Sequence, residues 1–356
     1  MALRLSTALG PSAQAAYSEL LEVTRLQELS RSVENLSGSF NRKTVRGVDY
    51  WYYQFTDSAG GKTRQIFVGR DGDSLRVLVE KAKARDTSRV ESLAKAAIAL
   101  GCAATTPAHF RIVRRLNEIG FFRAGGLLVG THAFLAYGNA LGVAWGDIAR
   151  TQDLDFAHAG NNVALALPTT LEVKTRGAIE SLEAGFLPVP AFKPGGKTAT
   201  FISNVDKQLR VDFLAPMVGG KAAVFEHEAL GVNLQPLKFL DFILEDVDQA
   251  VVVSAVGAVM VNVPDPARYA LHKLLVYAER RTTHATKARK DLRQAAALIE
   301  ALWEFRRDDV RKLWRNLLTR GPGWRGKARS GFAALEEQAP HLEAIGPLAD
   351  ALRHPK

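Results

Sequence analysis

The sequence predicts an α+β fold: a small mixed β-sheet core with flanking helices, preceded by a helix-plus-β-hairpin module and followed by a helical C-terminal region. Three observations predict it. Short stretches with a period of two, rich in β-branched and aromatic residues, fill the middle of the chain. Apolar residues recur every three or four positions on both sides of them. An aromatic run at Tyr50-Trp51-Tyr52-Tyr53-Gln54-Phe55 is followed by Ser58-Ala59-Gly60-Gly61 and a second strand pattern, Thr63 to Val68. With 356 residues the chain is long enough for two or three domains, and these changes of pattern divide it at 1–104, 105–267 and 268–356.

Composition narrows the class. The chain is 47% apolar and 24% charged, which leaves ample material for a core. Cys102 is the single cysteine, so no internal disulfide forms and a reducing cytoplasm is expected. The apolar run Ala250 to Val261 is short and valine-rich, and it reads as two strands rather than a membrane span. No apolar stretch follows Arg4 as a signal peptide would require.

In order, Tyr17, Leu20, Val23, Leu26, Leu29 and Val33 form one helical stripe ending near Ser37-Gly38. The aromatic hairpin follows, with Arg42, Lys43, Arg46, Lys62, Arg64 and Arg70 around it. Its aromatics either pack on neighbouring helices or stack on bases. Val77 to Ala99 reads as helical, with Lys81, Lys83, Arg85 and Arg89 on a solvated face.

Thr105-Thr106-Pro107 starts a helix whose buried stripe is Phe110, Val113, Leu116 and Ile119, and Gly120 ends it. Phe121 to Val129 is expected as a strand leading into a turn at Gly130-Thr131. A turn that opens a helix offers free backbone N–H groups and the positive end of the helix dipole, both suited to phosphate. The Thr131 hydroxyl adds a donor. Tight packing is the other use of such a glycine.

In Arg150-Thr151-Gln152-Asp153-Leu154-Asp155-Phe156, a strand places Asp153 and Asp155 on one face and Leu154 and Phe156 on the other. Two adjacent anions repel unless a cation lies between them, and Mg²⁺ prefers carboxylate oxygens together with those of a phosphate. In Leu209 to Leu214, Asp212 takes the parity opposite to Val211 and Phe213. A carboxylate set among apolar strand residues is costly without a partner, which points to an ion shared by all three acids. Between these strands, Ala191 to Thr198 matches a relaxed phosphate-loop pattern, but β-rich sequence follows it where a helix is required, so it reads as a turn before a hairpin.

These residues resemble the nucleotidyltransferase fold shared by polymerase β, the CCA-adding enzymes and many small bacterial transferases. That family's signature is a Gly-Ser or Gly-Gly turn entering a helix, a D-x-D strand and a third Asp on the next strand. Here Gly130-Thr131, Asp153 with Asp155, and Asp212 stand at those places. The resemblance covers roughly residues 105–300 and extends to stand-alone bacterial members related to abortive-infection and toxin nucleotidyltransferases. Two departures mark it. The turn reads Gly-Thr, and 21 residues separate Thr131 from Asp153, so the helix is either extended or followed by an inserted loop, Gly138 to Asp147.

The resemblance implies an NTP substrate, and two Mg²⁺ ions, with Mn²⁺ as a substitute, on Asp153, Asp155 and Asp212. Gly130, Thr131 and Thr151 are the nucleotide-binding candidates. Pro264-Asp265-Pro266 ends the valine strands and starts a helix over Ala267 to Arg281, with Leu271, Leu274, Leu275 and Ala278 buried. Lys273, on another side of it, is the position the resemblance assigns to the triphosphate. A second helix, Lys287 to Phe305, buries Leu292, Ala295, Ile299 and Leu302.

Residues 268–329 carry 17 Lys and Arg against 6 Asp and Glu, a net of +11, while the whole chain is +10. Such a field draws in polyanions. Lys287, Lys290, Arg315 and Arg325 are the nucleic-acid candidates, the last two beside Trp314 and Trp324 in an expected loop. The expected activity is transfer of a nucleoside monophosphate to an acceptor hydroxyl, at the 3′ end of an RNA such as tRNA. The resemblance adds a toxin role with an inhibitory partner protein. A protein side chain as acceptor, and a catalytically inactive nucleic-acid-binding module, are the alternatives.

Overall fold

The structure, a computed structural model, describes residues 4–34, 38–56, 63–149 apart from 74, 78 and 80–86, then 153–158, 173–182, 185–189 and 196–354. Helix α1 (Pro11–Glu34) precedes three antiparallel strands, β1 (Gly38–Val45), β2 (Val48–Thr56) and β3 (Thr63–Arg70). The expected hairpin thus has a third strand, β1, which the sequence reading missed because its residues are mostly polar and exposed. Helix α2 (Thr87–Ala99) covers the second half of the long helix expected from Val77, and Val77 and Val79 before it are also helical. Lys81, Lys83 and Arg85 lie outside the described residues.

Helix α3 (Pro107–Glu118) starts where the sequence places it. Thr106 caps it by accepting from the His109 N–H, with proline in its first turn, and Gly120, at φ +86°, turns the chain after it. The strand expected over Phe121 to Val129 is only β4 (Gly126–Val129). Residues 121–125 form a turn because Gly120 and Gly125 take positive φ. That turn drops Phe121 and Phe122 into the core.

Helix α4 (Gly130–Leu141) ends at a left-handed Gly142, so it is not extended. A two-residue strand and a short 3₁₀ turn, Gly146–Ala149, continue towards β5 (Asp153–His158). Helix α5 (Thr175–Glu180), β6 (Phe186–Pro188), β7 (Thr200–Ser203), β8 (Arg210–Pro216), β9 (Phe225–His227) and β10 (Val232–Leu237) follow. The sheet runs β9-β10-β8-β5-β4, with β7 beside the first half of β8 and β6 beside β7. It is mixed: β5 pairs β8 in parallel, while β4 pairs β5 and β7 pairs β8 antiparallel. Residues 191–195 of the rejected phosphate loop lie outside the described residues, and β7 after them is a strand.

Register decides which residues meet. Leu154 faces Val211 and Phe156 faces Phe213 across β5 and β8, and all four are fully buried. The two phenylalanine rings stack 5.6 Å apart. A slip of one residue would expose all four, so the apolar face fixes the alignment of the polar one.

After helix α6 (Leu240–Ile243), the valine run forms two strands, β11 (Val247–Ser254) and β12 (Gly257–Pro264). This hairpin is buried on both faces. Ala250 and Val252 join the main core, while Val251 and Val253 pack with Tyr17, Leu20, Ala94 and Ala97 of α1 and α2. Asp265 then caps α7 (Pro266–Arg280) by accepting from the N–H groups of Ala267 and Arg268. Helices α8 (Ala285–Phe305), α9 (Arg307–Thr319), α10 (Pro322–Gln338) and α11 (Ile345–Arg353) complete the chain. One apolar core runs from Phe110 to Leu348, so these helices pack as one body with the sheet. The loop expected around Trp324 is the start of α10, and Trp314 is fully buried within α9. Both tryptophans serve packing, Trp324 against Phe239 at 4.7 Å.

Candidate active site

The parallel register sets Asp212 directly beside Asp155 and Arg210 beside Asp153, on the face opposite the stacked phenylalanines. The end of β4 is alongside, since Val129 pairs with Asp155. The next residue, Gly130, has φ +65°, and a Cβ there would overlap the Asp155 carboxylate. Only glycine lets α4 open this close to the acid. The turn is braced from behind: the Tyr269 hydroxyl donates to the Gly130 carbonyl at 2.6 Å, and Gln294 Nε2 donates to Thr131 Oγ1 at 3.3 Å.

A cleft of about 400 Å³ is lined by Gly130, Thr131, the three aspartates, Lys273, Lys287 and Lys290. The fold therefore brings most of the candidate residues together. Arg315 is exposed on α9 and does not line the cleft, and Arg325 donates to the Leu318 carbonyl at 3.2 Å. Thr151 lies outside the described residues. Sequence reasoning assigned no role to Thr200, Arg210, Arg280, His284 or Asp291, which also line the cleft. Arg210 shared its strand face with Asp212 in the sequence pattern, and that was the one legible signal.

The acids are met by cations. Lys287 Nζ lies 3.3 Å from Asp153, and Arg210 Nε donates to Asp212 at 2.8 Å while Thr200 Oγ1 donates to it at 2.5 Å. The contact with Asp212 holds the Arg210 guanidinium above its usual pKa. Asp155, the most enclosed of the three, has its pKa raised to about 6 by burial and then by Asp212, against the opposing pull of Lys273. Among the described residues no three His, Cys, Asp or Glu side chains converge as a metal ligand set, and Asp212 is hydrogen-bonded to Arg210 and Thr200. The donor chemistry nonetheless fits a hard divalent cation: three carboxylates on adjacent strands, one of them buried beside another anion.

A carboxylate with a raised folded-state pKa costs nothing below its unfolded pKa of about 4 and its full penalty above about 6. The folded protein therefore gains stability as pH falls through that window. Asp155→Asn is expected to raise the metal-free melting temperature at about pH 8, with the gain disappearing near pH 4. Calorimetry at both values checks it.

Lys273, expected on another side of α7 from its buried residues, lines the cleft. It is buried, and its ammonium is bound to Asp291 at 2.5 Å, with Arg280 on the other oxygen at 3.1 Å. Burial opposes the Lys273 charge, but Asp291 outweighs it and keeps the lysine protonated. Burial likewise opposes the Asp291 charge, and Lys273 and Arg280 outweigh it. Lys273→Met leaves a buried carboxylate with only Arg280 and is expected to cost about 3–5 kcal/mol in urea unfolding. Lys273→Met with Asp291→Leu is expected to recover most of that loss.

The basic excess is smaller in the fold than in the sequence. Asp241, Glu245, Asp246, Asp248 and Asp265, all before residue 268, take up Arg268, Arg306 and Arg320. Of the cations in residues 268–329, those that line the cleft are on α7 and the start of α8.

A glycine turn opening a helix beside two carboxylate-bearing strands, faced by lysines, is the layout of an enzyme that handles phosphate esters. A nucleotidyltransferase family model matches residues 108–319, and the chain belongs to that family. No curated protein and no solved structure matches it. Among the described residues no helix is long and apolar enough to cross a membrane.

Proposed function

We propose that the chain moves a nucleoside monophosphate from an NTP to the hydroxyl at the 3′ end of an RNA such as a tRNA, releasing pyrophosphate. The observation that carries this reading is the pairing of Asp212 with Asp155 beside the Gly130 turn. Asp153, Asp155 and Asp212 would hold two Mg²⁺ ions, or Mn²⁺ in their place. When bound, the metal supplies charge for the triphosphate and makes the acceptor hydroxyl easier to deprotonate.

The chain's own residues do the rest. First-turn N–H groups of α4 bind the triphosphate, with Thr131 beside them, and Lys273 holds positive charge next to Asp155. Thr151 is proposed as a further nucleotide contact. Lys287 and Lys290, on the rim of the cleft, meet the phosphates of the incoming strand, and Arg315 and Arg325 extend the basic surface. A defence or toxin role with an inhibitory partner protein follows from resemblance to abortive-infection and toxin members.

Purified protein, Mg²⁺, each α-labelled NTP and total cellular RNA test the proposal, beside an Asp153→Asn control. Label in RNA that the control lacks is the expected result. Label on protein alone would move the acceptor to a side chain. No label from any NTP, with salt-sensitive RNA binding retained, would leave a binding module on a transferase fold.

A further inference from the structure

A second cavity, of about 300 Å³, adjoins the acid cleft. The two share Gly130, Asp155, Leu214, Leu237, Lys273 and Arg280, so a bound molecule can span both. Their linings differ in kind. The acid cleft is walled by carboxylates and cations, whereas Val129, Met217, Phe239, Leu240, Ile243 and Val276 give the second an apolar surface.

Two features of that surface point to a ligand. His272 lines it, is over nine-tenths buried, and has an Nε2 that is closed to solvent and without a hydrogen-bond partner. Leaving a buried ring nitrogen unpaired is costly. Burial, reinforced by the neighbouring Lys273 charge, pushes its pKa down to about 3, so the ring is neutral and suited to one hydrogen bond with an uncharged edge. The other is Phe239, which has φ +65°, a left-handed conformation that a bulky residue rarely adopts. Trp324 packs on its ring and helps hold it there. Backbone strain of this kind collects where a side chain must face a ligand.

A planar, uncharged ring with one hydrogen-bonding edge, attached to a polyphosphate, matches both halves. We propose that the apolar cavity receives the base of the nucleoside triphosphate, with Phe239 as a wall and His272 as the side chain that reads the base edge. The proposal rests on the nucleotidyl-transfer reading above and assigns the substrate's specificity to one side chain.

The test is equilibrium binding of each of the four NTPs and of inorganic tripolyphosphate to the full chain, with Ca²⁺ in place of Mg²⁺ so that no transfer occurs. At least one NTP is expected to bind about tenfold or more tighter than tripolyphosphate. His272→Phe is expected to remove most of that advantage and to narrow the spread among the four NTPs, with tripolyphosphate affinity unchanged. Val276→Trp, from a half-exposed position on α7, is expected to do the same by filling the cavity. NTPs that bind no better than tripolyphosphate, or variants that weaken both ligands equally, would overturn the base assignment and leave the transferase reading intact. Failure of every NTP and of tripolyphosphate to bind would overturn both.

Discussion

Asp153→Asn and Asp155→Asn are each expected to lower nucleotidyl transfer by about a thousandfold or more while the protein stays folded. The substitution keeps the shape of the side chain and removes the charge that would bind a divalent ion. Asp155 pairs with Asp212 across the strands, and Asp153 faces Lys287, so neither carboxylate holds the sheet together. The sheet is held by Leu154, Phe156, Val211 and Phe213 on its other face. Circular dichroism and the labelled-NTP assay, run on the same preparations, separate loss of chemistry from loss of fold. Full activity in either variant would refute the assignment of that acid. Asp155→Asn carries a second signature, since the variant that loses activity is the one expected to gain stability without metal at neutral pH and above.

Gly130→Ala is expected to lower transfer by about a hundredfold or more, the loss typical of displacing a reacting group by about an ångström. The backbone conformation costs an alanine about 1–2 kcal/mol. The new methyl also overlaps the Asp155 carboxylate, which must move from its position beside Asp212. Gly47→Ala separates the two effects. Gly47 has φ +77° with open space around a Cβ, in the turn between β1 and β2, so it carries the backbone cost alone. Transfer by Gly47→Ala is expected to match wild type after correction for folded fraction. Wild-type activity in Gly130→Ala would show that the turn does not position the acid.

Local pattern was enough to find the elements that carry the carboxylates and the turn. Period-two alternation gave β5 and β8 and put Asp153, Asp155 and Asp212 on the open faces, because a half-buried strand must sort its side chains by parity. Capping chemistry gave the starts of α3 and α7 at Pro107 and Pro266. Pattern failed where the deciding contact came from far along the chain. The strand β1 has little apolar alternation and is a strand because β2 pairs with it. Trp314, read as a loop aromatic among cations, is a core residue, and Trp324 packs against the core, because α9 and α10 pack on the rest of the body.

What the sequence by itself determined is the chemistry present: three acids, a glycine turn, an uncompensated basic segment and the strand and helix periods that carry them. Only the tertiary structure decided which of those groups meet. It aligned Asp155 with Asp212, paired Lys273 with Asp291, placed the acids before residue 268 against Arg268, Arg306 and Arg320, and opened an apolar cavity that Asp155 also lines. The reason is one of range. Parity and capping act between residues a few positions apart, whereas charge pairing and cavity shape depend on groups brought together across the whole fold, from Gly130 to Gln294.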